Sequence, residues 1–189
     1  MALAKGMDKW KMKKWFAVYA PKVLNGAMVG EMPANDEKAA VGRNITVNLD
    51  ALTHNPSHAY TNVFLKVTEV KGEAAQTRLR GFELVAAYLR SFVRRYRSIS
   101  TAVIPVVAKD GSKMVVKLIT VTRQRTAASK IRGMRQEMVT FTSNFFKEND
   151  SDSAVSAMIE GKVQAELGAK LGHIAGVNKV EVRKLEIAA

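Results

Sequence analysis

Residues 103–121 read VIPVVAKDGSKMVVKLITV. Two β-rich runs, Val103–Ala108 and Met114–Val121, flank the pair Asp110-Gly111, which supplies the positive φ angles of a tight hairpin turn. Pro105 cannot donate to a ladder, so its strand belongs at a sheet edge or a bulge. The same period continues outward. Val63, Leu65 and Val67 alternate with Asn62, Lys66 and Thr68; beyond Gly72, Thr77 and Leu79 alternate with Gln76, Arg78 and Arg80. This predicts a second hairpin with arginines on its outer face. Val41, Ile45, Val47 and Leu49 oppose Asn44, Thr46 and Asn48 in a half-buried strand, with a helical turn over Asp50–Thr53. Trp15–Tyr19 reads as a short strand stopped by Pro21 and Asn25-Gly26, residues 30–40 as a loop, and Val177–Ile187 as a closing strand.

Helical spacing appears between and after the hairpins. Phe82, Val85, Leu89, Phe92, Val93 and Tyr96 predict a helix over Phe82–Arg97, with Arg90, Arg94 and Arg97 on another face. From Thr126, the set Ile131, Met134, Met138, Phe141 and Phe145 marks a second. Asp150 or Asp152 is the expected cap of a third, through Val155, Ile159, Val163 and Leu167. Hairpins dominate without a strand–helix–strand rhythm. The expected class is therefore α+β with a mostly antiparallel sheet, curled into a small β-barrel packed by helices. Residues 1–13, rich in Lys and without apolar period, read as a basic N-terminal arm, and 14–189 as a single domain.

Composition narrows the function. The 189 residues carry 30 Lys+Arg against 17 Asp+Glu, a formal net charge of +13, and 47% are hydrophobic, enough to fill a core. With no Cys, disulfides, thiolate metal sites and cysteine nucleophiles are excluded. The longest apolar stretch, Ala102–Ala108, is far shorter than a membrane helix needs, and the Lys-rich start lacks a secretory signal's apolar segment. The expectation is an intracellular protein with no membrane partner. Its charge is concentrated: residues 78–135 hold fourteen basic groups against Glu83 and Asp110 alone, and ten of the fourteen are Arg. A merely soluble surface mixes signs, so this segment reads as the footprint of a polyanion. Arginine's planar fork pairs with phosphate oxygens and stacks on bases. In and just after the arm, Trp10, Trp15 and Phe16 lie among lysines and suit stacking on unpaired bases; Trp15 and Phe16 equally suit the start of the core.

Catalytic constellations are missing. His54 and His58 are separated by Pro56, which opposes a shared helix, and His173 sits among glycines. There is no nucleophile elbow and no phosphate-binding Gly-rich loop with a Lys. The sequence points to binding, with neither catalytic residues, metal site nor cofactor.

Several segments together resemble a known family. Lys13-Lys14-Trp15-Phe16 with Ala20-Pro21-Lys22, then Gly42-Arg43, then Gly81-Phe82 through Leu89–Arg95 occur in order. Lys109-Asp110-Gly111 with Thr120–Arg123, Ile131-Arg132 with Arg135–Met138, and Val180–Lys184 follow. This series resembles the small-subunit ribosomal protein family S-three-Ae of archaea and eukaryotes, over about residues 13–187. The resemblance implies a β-barrel with attached helices and a structural constituent of the small ribosomal subunit, cytoplasmic and in ribosomes. It further implies a place on the platform side near the messenger exit, supporting translation. Without the long C-terminal extension of eukaryotic members, an archaeal-type member is expected. The expected partners are small-subunit ribosomal RNA and neighbouring small-subunit proteins, with messenger RNA or initiation factors as further ones. The candidate RNA-binding residues are Lys9, Lys11, Lys13, Lys14, Trp15, Arg78, Arg80, Arg90, Arg94, Arg95, Arg97, Lys113, Arg123, Arg125, Lys130, Arg132 and Arg135. The competing reading is a general nucleic-acid-binding or DNA-packaging module.

Overall fold

The computed structural model describes residue 10 and residues 13–187. In chain order these form β1 (Lys14–Tyr19), β2 (Met28–Ala34), α1 (Glu37–Ala40), β3 (Asn44–Asn48) and α2 (Leu49–Thr53). The hairpin β4 (Thr61–Lys71) and β5 (Ala74–Leu84) leads to α3 (Ala86–Phe92), then to the hairpin β6 (Ile99–Val107) and β7 (Lys113–Thr122). Three helices, α4 (Ala128–Glu148), α5 (Ser151–Ile159) and α6 (Lys162–Gly172), precede β8 (Val177–Ile187). The class is α+β, as expected.

All eight strands join one sheet, and it branches at β5. One edge of β5 pairs antiparallel with β4, which carries β3 beyond it. The other edge is shared: Ala74–Gln76 pairs parallel with β1, and Gly81–Glu83 pairs antiparallel with β8. β2 continues outward from β1, and β7 and β6 from β8. The sheet does not close, so the expected barrel is replaced by an open, branched sheet. Pro33 in β2 and Pro105 in β6 lie on its outermost strands, where a missing ladder donor is tolerated and further pairing is blocked.

The alternation read from the sequence sets the core. Val63, Leu65 and Val67, with Ala102, Ile104 and Val106, and with Met114, Val116 and Leu118, are all buried on one face. Except for Val67, these residues pack against Met134, Met138, Phe141 and Phe146 of α4, Val155 and Met158 of α5, and Val163, Leu167 and Leu171 of α6. Val67 packs in a second cluster with Phe16, Val18, Met32, Ala34, Ala40 and Ala75. On the opposite face, α3 lays Phe92, Tyr88 and Leu89 over Ile119 and Val121. Residues 118–122 are therefore buried on both sides.

Four expectations are corrected. The helix over Phe82–Arg97 is only Ala86–Phe92: Phe82 faces Val63 and Leu185 inside the sheet, and the two-residue period wins there. Residues 30–40 are not one loop but the end of β2 and the single turn α1, because an edge strand accommodates Gly30 and Pro33. The third helix is two, divided at Gly161, whose φ of 83° breaks the helical path. Neither Asp150 nor Asp152 supplies its side-chain cap. Instead Asp110, from the hairpin turn, accepts from the Ser151 amide at 2.9 Å and the Ser151 hydroxyl at 3.0 Å.

Candidate nucleic-acid interface

At one end of the sheet β6 begins, β7 ends and β8 begins, with Ile99 opposite Val121 and Thr122 opposite Val177. Three connections meet there: residues 93–98, 123–127 and 173–176. Thr122, 1% exposed, ties two of them together. Its Oγ1 accepts from the Ser98 amide at 3.0 Å and lies 3.1 Å from the Ser98 carbonyl and 2.6 Å from the Gln124 carbonyl. The Thr126 amide donates to Ser98 Oγ at 3.0 Å. The Arg123 amide donates to the Gly176 carbonyl at 2.8 Å, and its Nε to the Val177 carbonyl at 3.1 Å, which fastens the third connection.

This framework brings together the loops that carry Arg94, Arg95, Arg97, Arg123 and Arg125, with Lys130 on the first turn of α4. A hollow of about 440 Å³ opens among Arg123, Gln124, Arg125, Thr126, Lys130 and Gly176. α4 starts here at Ala128, and Ala127 at its N-cap offers no side-chain cap, so the positive end of its dipole adds to the field of the cations. Arg94 Nε donates to the Ser91 carbonyl at 3.4 Å and Arg97 to the Phe92 carbonyl at 3.3 Å, closing the end of α3. Among the described residues every ion pair uses a lysine: Lys71, Lys117, Lys162, Lys179 or Lys184. No arginine spends its charge on a carboxylate there.

Beside this end, Lys179 donates to the Tyr88 hydroxyl, which itself donates to Glu181 at 3.2 Å. Lys179 also pairs with Glu181 at 3.1 Å and lies over the rings of Tyr88 and Phe92. Burial disfavours its charged form, but the hydrogen bonds to Tyr88 and Glu181 outweigh that and hold it above the ordinary lysine value. The group fixes α3 onto β8, and its charge is largely neutralised by Glu181.

The remaining candidates lie elsewhere. Arg78 and Arg80 stand on the outer face of β5, with Lys66 directly opposite Arg78 and Asn44 opposite Lys66. A hollow of about 490 Å³ there is also lined by Ile187, at the far end of β8. Lys113 begins β7 at that same far end, where Met114 pairs with Ile187. The length of β7, ten residues or about 30 Å at the usual strand rise, separates the two loci. Arg90 is exposed on α3, and Arg132 and Arg135 are exposed on the next turns of α4. Lys13 lies over Trp10 at 4.2 Å and Lys14 begins β1. Phe16 is buried in the core while its neighbour Trp15 remains 54% exposed. The hollow beside Lys14 also contains Glu31, Asp36, Glu37 and Glu73, so its field is mixed. Lys9 and Lys11 lie outside the described residues, as does most of the expected arm over 1–13.

The sequence reading missed the residues that assemble this end. Ser98, Thr122 and Thr126 carried one signal, a polar side chain at a strand terminus, and no charge to draw attention. No cluster of metal-ligating side chains exists among the described residues. His54 ends α2 in the left-handed conformation and His58 occupies a short 3₁₀ turn. No described helix is long and apolar enough to cross a membrane.

An α+β scaffold whose described arginines have no carboxylate partner is suited to binding a polyanion. The Ribosomal S3Ae family matches residues 2–189, and the chain belongs to it. Membership makes it a structural component rather than an enzyme, with its place in ribosomes of the cytoplasm. The chain is 34% identical to the small ribosomal subunit protein eS1 of Pyrobaculum aerophilum over 180 residues, which is 95% of this chain and 81% of that protein. It is 34% identical to the protein of the same name from Sulfolobus acidocaldarius, covering 95% of this chain and 92% of that one. The corresponding protein of Staphylothermus marinus is 31% identical over 95% of this chain and 85% of its own length. All three relatives are archaeal, in line with the archaeal-type expectation.

Proposed function

We propose that this chain is a structural constituent of the small ribosomal subunit that binds ribosomal RNA chiefly through the sheet end carrying Arg94, Arg95, Arg97, Arg123, Arg125 and Lys130. The observation that carries the reading is the hydrogen-bonded framework around Thr122, which holds these cations on neighbouring loops without carboxylate partners. Phosphate binding needs positive groups whose charge is not already spent and whose geometry is set beforehand. Arg90, Arg132 and Arg135 extend this contact along α3 and α4. Arg78 and Arg80, with Lys66, form a second contact on the outer face of β5, and Lys113 meets RNA at the far turn. The arm over 1–13, including Lys9, Lys11 and Lys13, with Lys14 and Trp15 at its junction, reaches a further segment, while 14–189 acts as one domain. The names of the relatives support a place in the small subunit beside other small-subunit proteins. The platform side near the messenger exit, with messenger RNA or initiation factors within reach, is the position the family resemblance implies.

The test is charge reversal at three side chains without a hydrogen bond in the framework: Arg95→Glu, Arg125→Glu and Lys130→Glu together. The expected result is loss of co-sedimentation with purified small subunits at an unchanged melting temperature. Undiminished co-sedimentation would refute this end as the principal contact. Equal affinity of the unaltered chain for duplex DNA and folded ribosomal RNA at fixed salt would favour a general nucleic-acid-binding module instead.

A further inference from the structure

Tyr96 is 85% exposed, more than any other large apolar side chain among the described residues. Its backbone φ is 61°, a left-handed conformation that costs a bulky residue about 1 kcal/mol or more and that glycine would adopt freely. Among the described residues it makes no ring contact and no side-chain hydrogen bond. The neighbouring rings are engaged: Tyr88 stacks on Tyr60 at 4.7 Å and meets Phe92 edge-on at 5.5 Å. The strain at Tyr96 is therefore not offset by packing. The loop is nevertheless held at both feet, by Arg94 and Arg97 on the last carbonyls of α3 and by Ser98 on Thr122 and Thr126. A strained, bare aromatic on a fixed loop between Arg95 and Arg97 has the form of a stacking platform. An exposed ring of this kind is suited to stack on a base, and guanidinium groups beside it are suited to pair with the flanking phosphates.

We infer that Tyr96 stacks on an unpaired nucleobase, so that this loop recognises single-stranded RNA or a looped-out base rather than duplex backbone alone. The inference rests on the RNA-binding reading above and adds to it an aromatic base contact, beyond the phosphate pairing assigned there to the cations. Stacking carries no counterion release, so its loss leaves the salt dependence of binding unaltered.

The experiment uses the full chain, a mixed-sequence single-stranded RNA dodecamer and the same sequence as a duplex. Tyr96→Gly removes the ring and relieves the backbone. It is expected to raise the melting temperature and to weaken single-strand binding roughly tenfold, with duplex affinity and the salt slope unchanged. Tyr96→Phe, which keeps the ring face, is expected to bind both RNAs as the unaltered chain does. Tyr96→Gly binding the single strand undiminished, or losing duplex affinity equally, would overturn the inference while leaving the cationic contact intact. Absence of salt-dependent binding of either RNA by the unaltered chain would overturn both.

Discussion

Gly81 shows what a single residue can decide in this molecule. It faces Glu186 where β5 meets β8, with φ 154°, and a Cβ placed there would lie 2.0 Å from the Leu185 carbonyl oxygen. The obstacle is backbone, which cannot swing aside as a long side chain would. Gly81→Ala is therefore expected to cost about 3 kcal/mol or more, measured as a lowered urea midpoint with an unchanged slope. A loss within a few tenths of a kcal/mol would mean that β8 does not approach β5 this closely. Residue-level signals of this kind were only partly legible. The sequence around Gly81 does not show a strand continuing, because Phe82, Val85, Leu89 and Phe92 fit a helical period. Only the register of Phe82 with Val63 and Leu185 reveals that the strand runs on to Leu84. Trp15 and Phe16 form another such pair: both suit a core, and the pleat buries one and exposes the other.

At the scale of elements, the hairpins were legible because alternation is a local device. At the β6–β7 turn Gly111 alone takes the expected positive φ, 75°, and residues 108–112 form a longer connection than the tight turn expected. The junctions were not legible. The start of α5 takes its cap from Asp110, 41 positions earlier, so no window around Ser151 contains the answer. The Ser151 amide first, then its hydroxyl, hold the Asp110 carboxyl below its ordinary value. Folding therefore favours the ionised form. The resulting stability is fully present above the unfolded carboxyl's pKa and is lost as pH falls through the lower folded value. Asp110→Asn, which keeps an acceptor but cannot titrate, is expected to flatten the acid limb of a melting-temperature profile relative to the unaltered chain. Superimposable acid limbs would show that the β6–β7 turn does not hold α5 through this carboxylate. The candidate interface follows the same logic. Its charge was plain in the segment 78–135, but the framework that gathers part of it depends on the β6–β7–β8 register and on Thr122, neither of which periodicity reports.

For the molecule as a whole, the charge divides between two loci a strand's length apart, which determines how binding should respond to salt. Six cations on the Thr122 framework displacing counterions contribute about −4 to −5 to the log–log salt slope on ribosomal RNA, and the other contacts add to it. Reversing Arg95, Arg125 and Lys130 should reduce its magnitude by at least about 2; an unchanged slope would assign the ionic contact to the outer face of β5 instead. The branching of the sheet has a temporal consequence as well. β5 shares its ladders with β1, with β4 and, from Gly81 to Glu83, with residues 184–186, roughly a hundred positions later in the chain. At ordinary synthesis rates of about 5–20 residues per second, a newborn polypeptide holds that flank bare for roughly 5–20 s. During that interval the amides of β5 remain open to any extended segment nearby, and a chaperone that shields it would raise the yield of native protein without ever touching the loops around Thr122.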